Sequence, residues 1–91
     1  MNSRTTKRFR KLFRELSPEL RQQARIVYKR WQQDPRLPGL RFKRINEDIP
    51  PYYSVRVTRD YRVAGEMRGN TMYWDFIGNH AEYEHYLEGL S

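Results

Sequence analysis

The sequence has no cysteine, only two histidines, and no apolar run approaching the roughly 18 residues that begin to suggest a membrane span. The missing thiols exclude a disulfide framework and a thiolate zinc site, and they suit a reducing compartment. Two histidines without cysteine make a poor metal set, so neither a metal nor a cofactor is expected. The basic start, MNSRTTKRFRK, has no apolar stretch behind it and does not read as a secretory signal. A cytoplasmic protein without a membrane partner is the expectation. Acidic residues are also in the minority. Eleven Asp and Glu stand against 18 Lys and Arg, for a net charge of +7 and an isoelectric point near 10.1. Such a balance calls for an acidic or polyanionic partner bound with salt-dependent affinity, nucleic acid above all.

What is present suffices for one small domain, residues 1–91. Hydrophobic residues make up 37% of the chain and aromatic residues 14%, enough for a core. A chain this short buries only about 60% of its unfolded surface, so stability is modest. Phe9, Leu12, Phe13 and Leu16 recur at helical spacing. A second helix opens at Ser17-Pro18, a good cap followed by a good first residue, and carries Leu20, Ala24, Val27, Tyr28 and Trp31 to a stop at Asp34-Pro35. After the loop DPRLPG the period changes to two. Leu40 to Ile45, Tyr53 to Val57, Tyr61 to Val63 and Thr71 to Ile77 read as strands with short, antiparallel connections. Asn79 with Glu82 three residues on, and Gly89 beyond, bound a closing helix. The fold class is α+β: a small antiparallel-rich sheet of four to five strands, backed by an N-terminal helical hairpin, with a short C-terminal helix.

Strand faces follow from register, because a one-residue slip turns a strand over. A two-residue turn at Gly69-Asn70 sets Met67 against Met72, Gly65 against Trp74 and Val63 against Phe76, one apolar face. The other face then pairs Arg62 with Ile77, Ala64 with Asp75 and Glu66 with Tyr73. A three-residue turn from Thr58 to Asp60 sets Arg56 opposite Arg62, and Lys43 joins them from the strand before. Two arginines across a ladder repel. Either an anion lies between them, or Asp75 or Glu66 pairs with one. The guanidinium fork matches phosphate oxygens, which makes a phosphate clamp the functional reading and a salt-bridged face the plain one. His80 follows three residues after Ile77, at the rim of this face, where a neutral imidazole can accept a proton. Tyr83 lies three residues on, along the same side of the helix. The plain reading is that His80 caps the helix and Tyr83 packs on the sheet. His85 has no such company.

Three stretches, SPELRQQARIVYKRWQQDPRLPGLRFKRI, YSVRVTRDYRV and WDFIGNHAEYEHYL, resemble the RelE/ParE superfamily of toxins from bacterial type II toxin–antitoxin systems. The likeness runs from about Phe9 to Leu87. It implies a first strand at around Asn2 to Thr6, which the sequence marks poorly. It also implies a cognate antitoxin as partner. The RelE-like branch, favoured here, cleaves mRNA, typically on the ribosome, with basic residues of the sheet and a histidine or tyrosine near the C-terminus. Lys43, Arg56, Arg62, His80 and Tyr83 match that arrangement as catalytic candidates. Arg41, Lys43, Arg56, Arg62 and Tyr73 are the RNA-binding candidates. RNA carries its own nucleophile, the 2′-hydroxyl. Arg56 and Arg62 would offset phosphoryl charge, His80 would move a proton with Tyr83 orienting it or donating, and Lys43 would stabilise charge or share the proton transfer. Glu47 is a weaker base. Two other classes fit the same features: a ParE-like poison of DNA gyrase without ribonuclease activity, and a non-catalytic basic nucleic-acid-binding module.

Overall fold

The computed structural model describes residues 1–90. Five strands, β1 (Asn2–Thr5), β2 (Lys43–Arg44), β3 (Tyr52–Arg56), β4 (Tyr61–Arg68) and β5 (Thr71–Asn79), form one sheet in the order β1-β5-β4-β3-β2. The three helices are α1 (Lys7–Arg14), α2 (Pro18–Gln33) and α3 (His80–Glu88). Strand β1 runs parallel to β5 and every other pair is antiparallel. The architecture is the α+β one expected, with the poorly marked first strand present.

Local chemistry sets the helix ends. The Thr6 hydroxyl accepts from Phe9 N and opens α1, and Ser17 Oγ accepts from Leu20 N with Pro18 at the first helical position of α2. Asp34 closes α2 in extended conformation. A capping box opens α3: Asn79 Oδ1 accepts from Glu82 N and Glu82 Oε1 accepts from Asn79 N, both at 2.8 Å. Each satisfies N–H groups that the first helical turn cannot pair internally.

Two strand expectations are corrected. The stretch Leu40 to Ile45 is not one strand. A 3-10 turn covers Pro38–Leu40, Arg41 takes a left-handed backbone (φ 49°), and only Lys43–Arg44 pairs with β3. The alternation there comes from Leu40 entering the core and Phe42 packing on Trp31 and Tyr53. The second correction concerns β4 and β5. Their register runs as expected from Arg68 to Gly65, with Met67 on Met72 and Gly65 on Trp74. It then shifts, so that Ala64 meets Phe76, Val63 meets Ile77 and Arg62 meets Gly78. Asp75 is the extra residue of a β-bulge, which re-aims everything after it. Gly65 permits it: a Cβ there would lie 2.3 Å from Tyr73 O and 2.9 Å from Trp74 Cα, both neighbouring backbone.

The bulge divides the core in two. Val27, Trp31, Val55, Val57, Val63, Met72, Trp74 and Ile77 fill the first face beneath α1 and α2, with Trp31 and Trp74 edge to face at 5.0 Å. Phe76 leaves that face and joins Ala64, Tyr83 and Tyr86 under α3, and Leu12 packs against both clusters. A regular hairpin would have left α3 no aromatic floor.

Candidate functional site

The second face of the sheet carries the candidate residues. Arg56 and Arg62 stand opposite each other on β3 and β4, with Gly78 of β5 completing the row. The turn behind them is the expected one, held by Val57 N donating to Tyr61 O at 3.0 Å. Lys43 faces Ser54, one step along the same face, or about 7 Å at strand rise. The three cations are therefore neighbours on one face. The Arg56 side chain forms no ion pair or hydrogen bond among the described residues. One end of the Arg62 guanidinium is held: Nη1 donates to the carbonyls of Thr58, Tyr61 and Arg59 at 2.9, 3.1 and 3.2 Å. That fixes the side chain and leaves its Nε and Nη2 without a protein acceptor.

Neither carboxylate of this face neutralises the arginines. Asp75 Oδ1 accepts from Thr6 Oγ1 at 2.8 Å, Asp75 Oδ2 accepts from Tyr86 OH at 3.2 Å, and Arg8 lies 3.7 Å away. Glu66 pairs with Arg68. Burial, and then the Asp75 charge, push the Tyr86 phenol well above the ordinary tyrosine value, so it stays a donor. Burial followed by Glu66 raises Tyr52 in the same sense. Asp75 is thus a structural hub joining the start of α1, the bulge and α3.

His80 is the first residue of α3, two residues beyond the partner of Arg62. Its side chain is 61% exposed and Nε2 lies 2.9 Å from Glu84 Oε1. The capping box and the close approach at Gly78 hold this end of the helix. A Cβ on Gly78 would come within 2.6 Å of the Phe76 ring and 2.8 Å of Glu82 Oε1. The pairing with Glu84 was missed in the sequence, although a carboxylate four residues after a histidine on a helix is a readable signal. Asp75 was missed as a bulge, although Gly65 inside the facing strand is the kind of residue that marks one.

Other candidates fall elsewhere. Tyr83 does not share the accessible rim with His80. It is 7% exposed, its ring packed against Phe76 at 6.3 Å, so it anchors α3 to the sheet. Tyr73 pairs with Glu66, four residues along β4 from Arg62 and so about 13 Å away at strand rise. Arg68 sits over its ring at 5.7 Å. Arg41 is exposed on the turn before β2 and outside the ladder. Glu47 is exposed in the loop after β2. Among the described residues no group of three His, Cys, Asp or Glu side chains is placed to hold a metal ion. No helix there is long and apolar enough to cross a membrane. A cavity of about 560 Å³ lies in the other layer, between β1, α1 and α2, floored by Phe9, Phe13, Trp31 and Trp74. The indole N–H groups of Trp31 and Trp74 are buried without a partner.

Comparison with known proteins bears on the family and the fold. The ParE-like toxin domain model matches residues 18–85. No curated protein sequence matches significantly. Among solved structures, the chain is similar to the RelB–RelE antitoxin–toxin complex from Methanococcus jannaschii, with a TM-score of 0.70 and 20% identity over 90% of this chain and 95% of that one. It is also similar to YafQ from E. coli, with a TM-score of 0.72 and 9% identity over 90% and 96%. The isolated E. coli RelE toxin gives 0.65 and 15% over 99% and 98%. At these identities the likeness is one of fold.

Proposed function

The chain belongs to the ParE-like toxin family, the toxin half of toxin–antitoxin pairs, and on that premise we propose that it is a metal-independent endoribonuclease acting on mRNA. The observation that carries the reading is the facing pair Arg56 and Arg62. The two arginines are cross-strand partners on one face, neither takes part in an ion pair among the described residues, and both nearby acids are engaged elsewhere. Such a pair is stabilised by an anion. In the reaction the substrate's 2′-hydroxyl attacks the adjacent phosphorus, a 2′,3′-cyclic phosphate forms, and the 5′-oxygen leaves with a proton. Arg56 and Arg62 offset the charge that develops on the non-bridging oxygens. His80 takes the 2′ proton or delivers one to the leaving oxygen, with Glu84 holding the ring by its Nε2 edge. Lys43 and Arg41 extend the cationic track toward β2. Tyr83 acts only by positioning α3. Tyr73 is set apart from the row and would at most stack a base distant from the scissile bond.

The partner readings follow the same premise. A cognate antitoxin would neutralise the protein, and the ribosome is the setting in which mRNA would be cut. The test is mapping of RNA 5′ ends in cells after induced expression, with His80→Ala as control. Discrete transcript breaks that vanish in the variant support the proposal. Growth arrest by both proteins without such breaks refutes it. One observation favours the gyrase-poison reading: Arg62 Nη1 is committed to turn carbonyls, so part of the clamp serves the fold. DNA-damage signalling with intact transcripts would select that reading.

A further inference from the structure

We propose that the outward surface of the α1–α2 hairpin is a second polyanion site, one that docks the phosphate backbone of a folded RNA. It is separate from the arginine row, and it rests on the ribonuclease reading only in naming the polyanion RNA. Charge accounting gives the first reason. Residues 7–33 hold nine Lys and Arg against two Glu, a net of +7. The rest of the chain then has nine of each sign and is neutral. The whole net charge of the protein therefore sits on the hairpin, in the layer opposite the candidate site.

The cations are also ordered. Lys7, Lys11 and Arg14 follow the i, i+4, i+7 rule on α1, on the side opposite Phe9, Leu12 and Phe13. Arg21, Arg25 and Lys29 repeat every four residues on α2. Arg21 Nη1 donates to Arg14 O and Leu16 O, which ties the α2 row to the end of the α1 row, while the Arg25 guanidinium lies over the Phe13 ring. None of the six takes part in an ion pair found among the described residues. Like charges four apart on a helix are destabilising, and solvated helix faces usually interleave signs. Arg21 is relieved by the Arg14 and Leu16 carbonyls and Arg25 by the Phe13 ring, whereas Lys7, Lys11 and Lys29 have no ion-pair partner among the described residues. An external anion supplies the relief.

Phosphate fits better than an acidic protein. Protein interfaces are organised around a buried apolar or aromatic centre. The polar neighbours of this row on α2 are Gln22 and Gln32, and the exposed apolar ones, Ile26 and Tyr28, flank it on either side instead of forming a centre. Backbone docking needs only cations and carries no sequence information. Because the stripe and the arginine row lie on opposite sides of the sheet, a segment of a few nucleotides contacts only one of them. A folded RNA, or an assembly that surrounds the protein, reaches both.

The experiment compares the wild type with a Lys7→Gln, Lys11→Gln, Arg14→Gln, Lys29→Gln variant, which keeps good helix formers throughout. Affinity for a folded transfer RNA and for an unstructured uridine 20-mer is measured against salt concentration, with circular dichroism to verify the fold. For the transfer RNA the expected result is a log–log salt slope smaller by about three, at roughly 0.7–0.9 per lost contact. For the 20-mer, which can engage the arginine row without the stripe, the slope should fall by less. A slope for transfer RNA within half a unit of wild type overturns the proposal. So does loss of antitoxin co-purification with that slope retained, which would make the stripe a protein surface. The ribonuclease reading stands or falls separately, on transcript breaks in cells, since the salt slope is read by binding alone.

Discussion

Replacing Gly65 by alanine tests the bulge on which the site depends. The added methyl would meet Tyr73 O at 2.3 Å and Trp74 Cα and Tyr73 C at 2.9 Å. All three atoms belong to the backbone of β5, so no side chain can swing aside. Either the bulge opens or β5 slips toward the regular register, which would drive Phe76 out from beneath α3. Overpacking a well-filled site costs about 1–3 kcal/mol, and an immovable backbone neighbour places this case at the upper end, about 3 kcal/mol. At the 4–8 °C per kcal/mol typical of a domain this size, the melting temperature should fall by more than about 10 °C. Two other glycines calibrate the argument. At Gly78 the methyl meets the ends of Phe76 and Glu82 at 2.6 and 2.8 Å. Glu82 can move only by giving up its half of the capping box, a loss of about 1 kcal/mol. At Gly39 nothing lies within 4 Å, and the change should be within about 0.5 kcal/mol of neutral. The assay is urea unfolding followed by tryptophan fluorescence, with the slope m checked for constancy across the three variants. A Gly65→Ala cost under about 1 kcal/mol, or one no larger than that of Gly78→Ala, would refute the bulge and the register it sets.

Further outcomes follow from the same contacts. Asp75→Ala should cost about 3 kcal/mol in urea unfolding, because it strands the buried Tyr86 hydroxyl and frees Thr6, and it should cost more than Tyr86→Phe. The raised phenol of Tyr86 also has a pH signature. Its folded value lies above the ordinary 10.0, so its stabilisation is complete below pH 10 and is lost as pH rises beyond it, when the unfolded state releases the proton first. Tyr86→Phe should remove one proton from that alkaline limb, about 1.4 kcal/mol per pH unit in unfolding measurements. Arg62→Ala should abolish transcript cleavage at least about 100-fold while leaving antitoxin co-purification intact; retained cleavage would remove the arginine pair from the mechanism. Glu84→Gln should slow cleavage with little effect on unfolding, since an exposed ion pair contributes about 1 kcal/mol or less. An unchanged rate would mean that Glu84 does not hold the ring.

Much of the architecture was legible because it is local. Ser17-Pro18, Asp34 and the pair Asn79 and Glu82 act within one helical turn, and each bounded its helix in the structure. The Gly69-Asn70 turn and the Thr58 to Asp60 turn fixed the pairing of residues next to them, including Arg56 with Arg62. Legibility stopped where two strands had to meet far from a turn. The alternation of Trp74 and Phe76 reads as one apolar face, yet a backbone approach between Gly65 and Tyr73 inserts Asp75 and parts them. For the same reason Tyr83 reads as a companion of His80 and lies instead in the small core that the re-aimed Phe76 creates.

By itself the amino-acid order determined the family, the helix boundaries, the basic character and the cross-strand arginine pair, all consequences of spacing over a few residues or of charge summed along the chain. Tertiary structure alone decided that Asp75 and Glu66 are spent elsewhere, that α3 covers the middle of the second face, and that the excess positive charge stands behind the sheet. Those outcomes depend on how the chain packs in three dimensions: Asp75 meets Thr6 across 69 residues and Tyr86 across 11, and spacing along the chain does not report such contacts.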